Sequence, residues 1–131
     1  MDNLHIAATT TSPEVDFRFD QHTLLIKGES YPENAAAFYA PVIERLRTYL
    51  AENAGAVITI DVALTYFNST STKMLFSIFD ALDPAAQWGS RVLLNWFRDV
   101  EDETIAEFGE ELKADFGGIE FTDRPVANEG R

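Results

Sequence analysis

The sequence predicts an α/β fold of two layers, a mixed β-sheet with helices packed mainly on one face. Three observations carry that prediction. Segments of period two and segments of helical period alternate along the 131 residues, and such alternation implies parallel crossovers of right-handed sense. The run 56–64 places Ile58, Ile60, Val62 and Leu64 on one face and Val57, Thr59, Asp61 and Ala63 on the other, so one side is wholly apolar and the other mixed. A sheet covered by helices on a single face has that pattern. Finally, two short strands near the start are joined by a turn, which adds an antiparallel hairpin to the parallel part.

In chain order, residues 1 to 13 are polar, with Thr9 to Pro13 as a loop and Leu4 to Ala7 as a short edge strand. Val15, Phe17 and Phe19 alternate with Asp16, Arg18 and Asp20, a strand with one buried face. Gln21-His22-Thr23 turns the chain into a second strand, Leu24 to Glu29. Ser30-Tyr31-Pro32-Glu33 has the form of a capping box, with Ser30 at the N-cap and Glu33 at the third helical position. The helix it opens carries Phe38, Val42, Ile43, Leu46, Tyr49 and Leu50 on one stripe. Pro41 lies inside that pattern and predicts a kink near Ala37 or two helical pieces meeting there.

After the central strand, Met74, Leu75, Ile78, Phe79 and Leu82 recur with helical spacing to about Ala86, and Arg91 to Phe97 reads as another strand. The carboxylates of Asp99 to Glu103 precede a helix marked by Ile105, Phe108, Leu112 and Phe116, where acids favour the positive end of the helix dipole. Gly117-Gly118 ends it, Ile119 to Thr122 adds an edge strand, and the tail from Asp123 on is polar and frayed. With 46% hydrophobic and 24% charged residues this is the composition of one globular domain, 1–131, with its core at about 14–122 and polar termini.

The stretch Tyr66 to Leu75 is where the functional signal concentrates. Asn68 is followed by four consecutive hydroxyl residues, Ser69, Thr70, Ser71 and Thr72, between a strand and a helix. Caps use one or two such residues; four in a row exceed that need and set side-chain oxygens beside orphan backbone N–H groups. On a helical projection Ser71 points inward with the apolar face, whereas Ser69 points outward on the side of Lys73, Phe76 and Asp80. Phe76 then stands as an apolar ring on the solvent side, next to a modifiable hydroxyl.

Other chemistries find little support. A net charge of −12 opposes phosphodiester backbones and anionic lipid, which excludes nucleic acid and membrane insertion as partners. No apolar run reaches membrane-spanning length, the start lacks the features of a signal peptide, and the cytoplasm is the expected compartment. His5 and His22 stand apart, no Cys occurs, and the glycines are scattered terminators, Gly130 among them, so neither a metal, a cofactor nor a phosphate loop is expected. Asp61 is a candidate carboxylate whose simpler reading is a place on the sheet's wetter face or beside a basic neighbour. Nothing in the sequence activates Ser69 as a nucleophile, so an enzyme is not expected.

A hydroxyl just after a strand, preceded by Asn and opening an apolar helix, resembles the phosphorylation site of STAS-type anti-anti-sigma proteins. Ser30-Tyr31-Pro32-Glu33-Asn34, the segment Tyr66 to Leu82 and the stretch Asn95 through Glu111 are similar to the SiaC family of bacterial biofilm-regulating phosphoproteins. That resemblance implies a STAS-like, non-catalytic switch, in which the unmodified protein binds and activates a diguanylate cyclase and so raises cyclic di-GMP. A Ser/Thr protein kinase turns it off and a PP2C-like phosphatase turns it on. The family's acceptor is a Thr directly after the Asn; here that position is Ser69 and Thr70 follows, giving the order Ser69, then Thr70. The partner surface so implied comprises Asn68, Ser69, Thr70, Lys73, Phe76 and Asp80. Two other readings remain at this point: an anti-sigma-factor antagonist working by partner switching, and a small hydrolase or transferase using Ser69 or Asp61.

Overall fold

Period-two segments become strands and the apolar stripes become helices, and the computed structural model describes residues 2–127. Six strands form one sheet whose order is that of the chain: β1 (Leu4–Ile6), β2 (Glu14–Arg18), β3 (Thr23–Ser30), β4 (Val57–Phe67), β5 (Arg91–Asp99) and β6 (Glu120–Val126). The helices α1 (Ala35–Glu52), α2 (Ser69–Gln87) and α3 (Glu103–Asp115) connect β3 to β4, β4 to β5 and β5 to β6. β1, β2 and β3 pair antiparallel, and every later pair is parallel.

The register explains the two layers. Val15 opposes Ile26, Ile26 opposes Val62 and Val62 opposes Trp96, so the buried residues of four strands share one face, and the helices cover it. The other face carries Asp16, Leu25, Asp61 and Asn95 in one row, all half-buried and uncovered by helix. Each fully buried aliphatic side chain in this core, such as Leu24, Ile60 or Leu75, contributes about 1.5–3 kcal/mol by leaving water.

Four expectations are corrected. Ser30 does not cap α1: it is the last residue of β3, fully buried, and Asn34 takes the cap by accepting from the Ala37 N–H at 3.0 Å. Tyr31 precedes a proline and is thereby held out of helical geometry, which delays the start. Pro41 does not divide the helix, because α1 is one continuous element with Pro41 on its exposed side. The central strand runs on to Phe67, past a register shift opposite Gly28 and Glu29. Lastly, the tail is not frayed from Asp123, since β6 pairs with β5 as far as Val126. Its polar sequence reflects an edge strand, where Pro125 is tolerated; residues 128–131, with Gly130, lie outside the described residues.

α3 approaches the sheet closely at Gly109. A Cβ there would lie 2.8 Å from the Trp96 indole and 3.1 Å from the Phe121 ring, while the Trp96 Nε1–H donates to the Ile105 carbonyl at 3.0 Å and pins the indole. Gly109→Ala should therefore destabilise the fold by about 1–2 kcal/mol despite its better helix propensity, because overpacking outweighs the propensity gain; chemical denaturation measures it. Burial also pushes the Tyr39 and Tyr49 phenols from 10.0 up to about 12. A phenol with a raised folded value holds its proton longer when folded, so this stabilisation is whole below pH 10 and is lost as pH rises from 10 towards 12. Denaturant titrations above pH 10 should show stability falling by up to about 1.4 kcal/mol per pH unit for each phenol, and Tyr49→Phe should flatten that slope.

Candidate functional site

The backbone is still extended at Asn68 (φ −90°, ψ 178°) and becomes helical at Ser69. Asn68 holds the junction from both sides. Its N–H donates to the Ser30 carbonyl at 3.1 Å, which ties the end of β4 to the end of β3. Its side-chain oxygen accepts from the Ser71 N–H and from the Thr70 hydroxyl, each at 3.0 Å. The Thr72 hydroxyl donates back to the Asn68 carbonyl at 3.1 Å.

Ser71 is fully buried, as the helical projection places it, and Ser69 and Thr70 are both exposed. Among the described residues the Ser69 hydroxyl has no hydrogen-bond partner within the protein. Lys73 and Asp80 are exposed on the same side of α2. Phe76 departs from expectation: it is half-buried, with ring centroids 5.3 Å from Phe108 and 5.8 Å from Phe116. α3 folds over that flank of α2, a contact between distant segments that a projection of α2 alone does not contain.

The structure adds a neighbour that sequence reasoning missed. Glu33, Asn34 and Ala36 at the start of α1 face Thr70, Lys73 and Met74 across a cleft of about 290 Å³. Through Ala36 and Met74 it continues into a groove of about 550 Å³ between α1 and α2, bordered by Ala40, Ile43 and Ser77. The N-termini of two helices thus flank the cleft that Thr70 lines, and the first N–H groups of each have no partner within their own helix. Tyr31 and Tyr66 stack edge-on at 5.6 Å above the same junction, with Tyr66 half exposed. The pairing of Glu29 with Tyr66 and Ser30 with Phe67 was the signal that would have found this, since it carries the two short motifs to one end of the sheet.

Asp61 lies elsewhere. Asn95 donates to it at 2.8 Å and in turn accepts from the Arg124 Nε–H at 3.1 Å, a polar row on the open face. The sheet separates that row from α2, so Asp61 and Ser69 share no site. The His5 Nε2–H donates to the Glu14 carboxylate at 3.1 Å, and the His22 ring meets the Tyr49 hydroxyl. Among the described residues no group of three or more metal-binding side chains assembles, and no helix is long and apolar enough to cross a membrane.

Comparison with known proteins gives one consistent answer. The family model described as SiaC family regulatory phosphoprotein matches residues 6–126. An uncharacterized protein of Pseudomonas aeruginosa (strain UCBPP-PA14) is 34% identical over 115 residues, covering 88% of this chain and 90% of that protein. The crystal structure of apo-SiaC from Pseudomonas aeruginosa superposes with a TM-score of 0.87 at 31% identity, covering 95% of this chain and 99% of that one. A chain in the crystal structure of the diguanylate cyclase SiaD in complex with its activator SiaC, from the same organism, superposes with a TM-score of 0.87 at 32% identity, covering 94% and 99%.

The geometry of the cap is directly testable. Asn68→Ala removes the acceptor of both the Ser71 N–H and the Thr70 hydroxyl, and should cost about 1 kcal/mol of stability. Hydrogen exchange should locate the loss in the first turn of α2, with the sheet amides unchanged.

Proposed function

The chain belongs to the SiaC family of regulatory phosphoproteins, and from that membership we propose that it is a non-catalytic switch whose unphosphorylated form binds and activates a diguanylate cyclase. A Ser/Thr protein kinase turns the switch off by modifying Ser69, with Thr70 the second candidate. A PP2C-like phosphatase turns it on again, in the bacterial cytoplasm, and the output is cyclic di-GMP and biofilm formation. The observation that carries this reading is the likeness of almost the whole chain to SiaC in its complex with the cyclase it activates. Exposure of Ser69 and Thr70 at the start of α2 supports the choice of acceptor.

Physical chemistry supports a switch that leaves the fold intact. A phosphate brings about −1.5 to −2 charges and three acceptor oxygens, and at this position it meets unsatisfied N–H groups and the positive end of the α2 dipole. The docking surface consists of Asn68, Ser69, Thr70, Lys73 and Asp80 with the uncovered edge of Phe76. Lys73 is one helical turn from Ser69, so a new phosphate there changes the charge that a partner meets at contact distance. A buried apolar contact cannot keep an unpaired dianion at its edge. The chain acts as a single regulatory domain, 1–131, with its core at about 14–122.

Ser69→Ala should bind and stimulate the cyclase as the unmodified protein does, and should no longer respond to the kinase. Ser69→Glu should weaken cyclase binding about tenfold or more, roughly 1.4 kcal/mol. Pull-down from the native cell followed by a cyclase assay measures both. Retention of an anti-sigma kinase in place of the cyclase would replace the client, and unchanged affinity for glutamate at both Ser69 and Thr70 would remove the switch.

A further inference from the structure

Beneath the exposed hydroxyls lies a chain of three others, all fully buried: Tyr39 on α1, Ser30 at the end of β3 and Ser71 in the first turn of α2. The Ser30 Oγ–H donates to Ser71 Oγ at 2.8 Å, and Ser30 Oγ lies 2.6 Å from the Tyr39 hydroxyl. Ser30 has a single proton, already given to Ser71, so Tyr39 is the donor to Ser30. Three elements that meet under the acceptor segment are thus joined by a chain with one direction.

Stability alone gives little reason for such a chain. Apolar side chains of the same size would fill the space without hydroxyl desolvation, and the net contribution of each buried hydrogen bond is only about 1 kcal/mol. What the chain supplies is direction. A residue two positions back on a helix sits about 200° round the axis. Fixing Ser71 inward therefore fixes Ser69 outward. The remaining hydroxyls of the run are occupied as well, Thr70 on the Asn68 side chain and Thr72 on the Asn68 carbonyl, which leaves Ser69 displayed and unengaged.

We propose that Tyr39 is a positioning residue for phosphoryl acceptance: acting through Ser30 and Ser71, it locks the rotation of the first turn of α2 so that Ser69 alone is presented to the kinase. This rests on the acceptor assignment above. In the reaction, Ser69 Oγ bonds to the γ-phosphorus of ATP, the bond to the ADP oxygen breaks, and the hydroxyl proton passes to a base of the kinase. Tyr39 touches none of these atoms. It sets where Ser69 Oγ stands when they react, and misplacement by a fraction of an ångström lowers the rate without weakening docking.

The test uses the full chain, Mg²⁺·ATP and kinase-containing soluble extract from the native cell, with intact mass, peptide mapping and initial rates against substrate concentration. Tyr39→Phe deletes one oxygen and keeps the packing. It should fold normally by circular dichroism, keep KM within about twofold, lose about fivefold or more in maximal rate, and shift part of its phosphate from Ser69 to neighbouring hydroxyls. Ser71→Ala should slow the reaction to a similar degree, and the double variant should lose no more than the worse single one. A merely structural role predicts lower thermal stability with rate and site distribution unchanged well below the transition. Tyr39→Phe modified on Ser69 alone at the wild-type maximal rate overturns the proposal. Should Tyr39→Phe fail to fold, Ser30→Ala and Ser71→Ala form the same cycle, and additive losses there overturn it. Wild-type chain modified at neither Ser69 nor Thr70 overturns the acceptor assignment and this inference with it, a result distinct from any seen in the variants.

Discussion

The fold is governed by the parallel pairing that begins at β3. Once β3, β4, β5 and β6 run in the same direction, each connection must return across the sheet, and right-handed crossovers between sequential neighbours place every returning helix on the same face. Two consequences are forced. One face is buried under α1, α2 and α3 and the other stays open. Equally, all three helices start at the end of the sheet where the parallel strands finish, which gathers their N-termini along one rim. The hydroxyl run is at that rim because the chain must pass from β4 into α2 there.

This geometry reconciles a rigid frame with a chemically changeable edge. Asn68 satisfies the Ser71 N–H, and its own N–H extends the β3–β4 pairing by one residue, so the junction belongs to both the strand and the helix. The first residues of α2 need no further partner from within the protein, and their remaining N–H groups face outward. An added anion finds those groups already oriented, with no buried contact to break. Displacement of α2 is opposed by Leu75, Ile78, Phe79 and Leu82, all fully buried. A change of surface therefore needs no change of fold.

Much of this was legible in the sequence, for a physical reason. Period-two alternation with one apolar face reports a sheet covered on one side, and it located β2, β3, β4 and β5 because their inward residues, Ser30 at the end of β3 apart, are apolar. The same logic turned Ser71 inward and Ser69 outward. It failed where a residue's surroundings come from a distant segment. Ser30 has the composition of a cap, but its hydroxyl is consumed by Tyr39 and Ser71, nine and forty-one residues away. Phe76 is covered by Phe108 of α3 and by Phe116 just after its end, which nothing within α2 reports. The edge strand expected over Ile119 to Thr122 is there, but its second half, from Asp123 on, reads as a polar tail because an edge strand has little to bury; it pairs with β5 and carries the contacts of Asp123 with Arg98 and of Arg124 with Asn95. Ordinary side-chain patterns encode burial; they do not encode which polar groups meet.

The charge of the chain sharpens what the rim can do. With a net charge of −12, one more phosphate alters the overall field of the molecule by a small fraction. At physiological ionic strength that field is in any case screened over about 8 Å. A switch built on global repulsion would therefore be weak in this protein, and would vary with salt. A switch built on local contact does not share that weakness. Around Ser69 stand Lys73 one turn ahead, Asn68 immediately before it, and Thr70 immediately after it, which with Lys73 lines the cleft shared with Glu33 and Asn34 at the start of α1. Placing a dianion among them alters what a docking partner must desolvate, at a distance where screening has little effect. Under the proposed function, the acidity of the surface and the position of Ser69 would then be independent properties: the first acts through the screened overall field, the second through local contact.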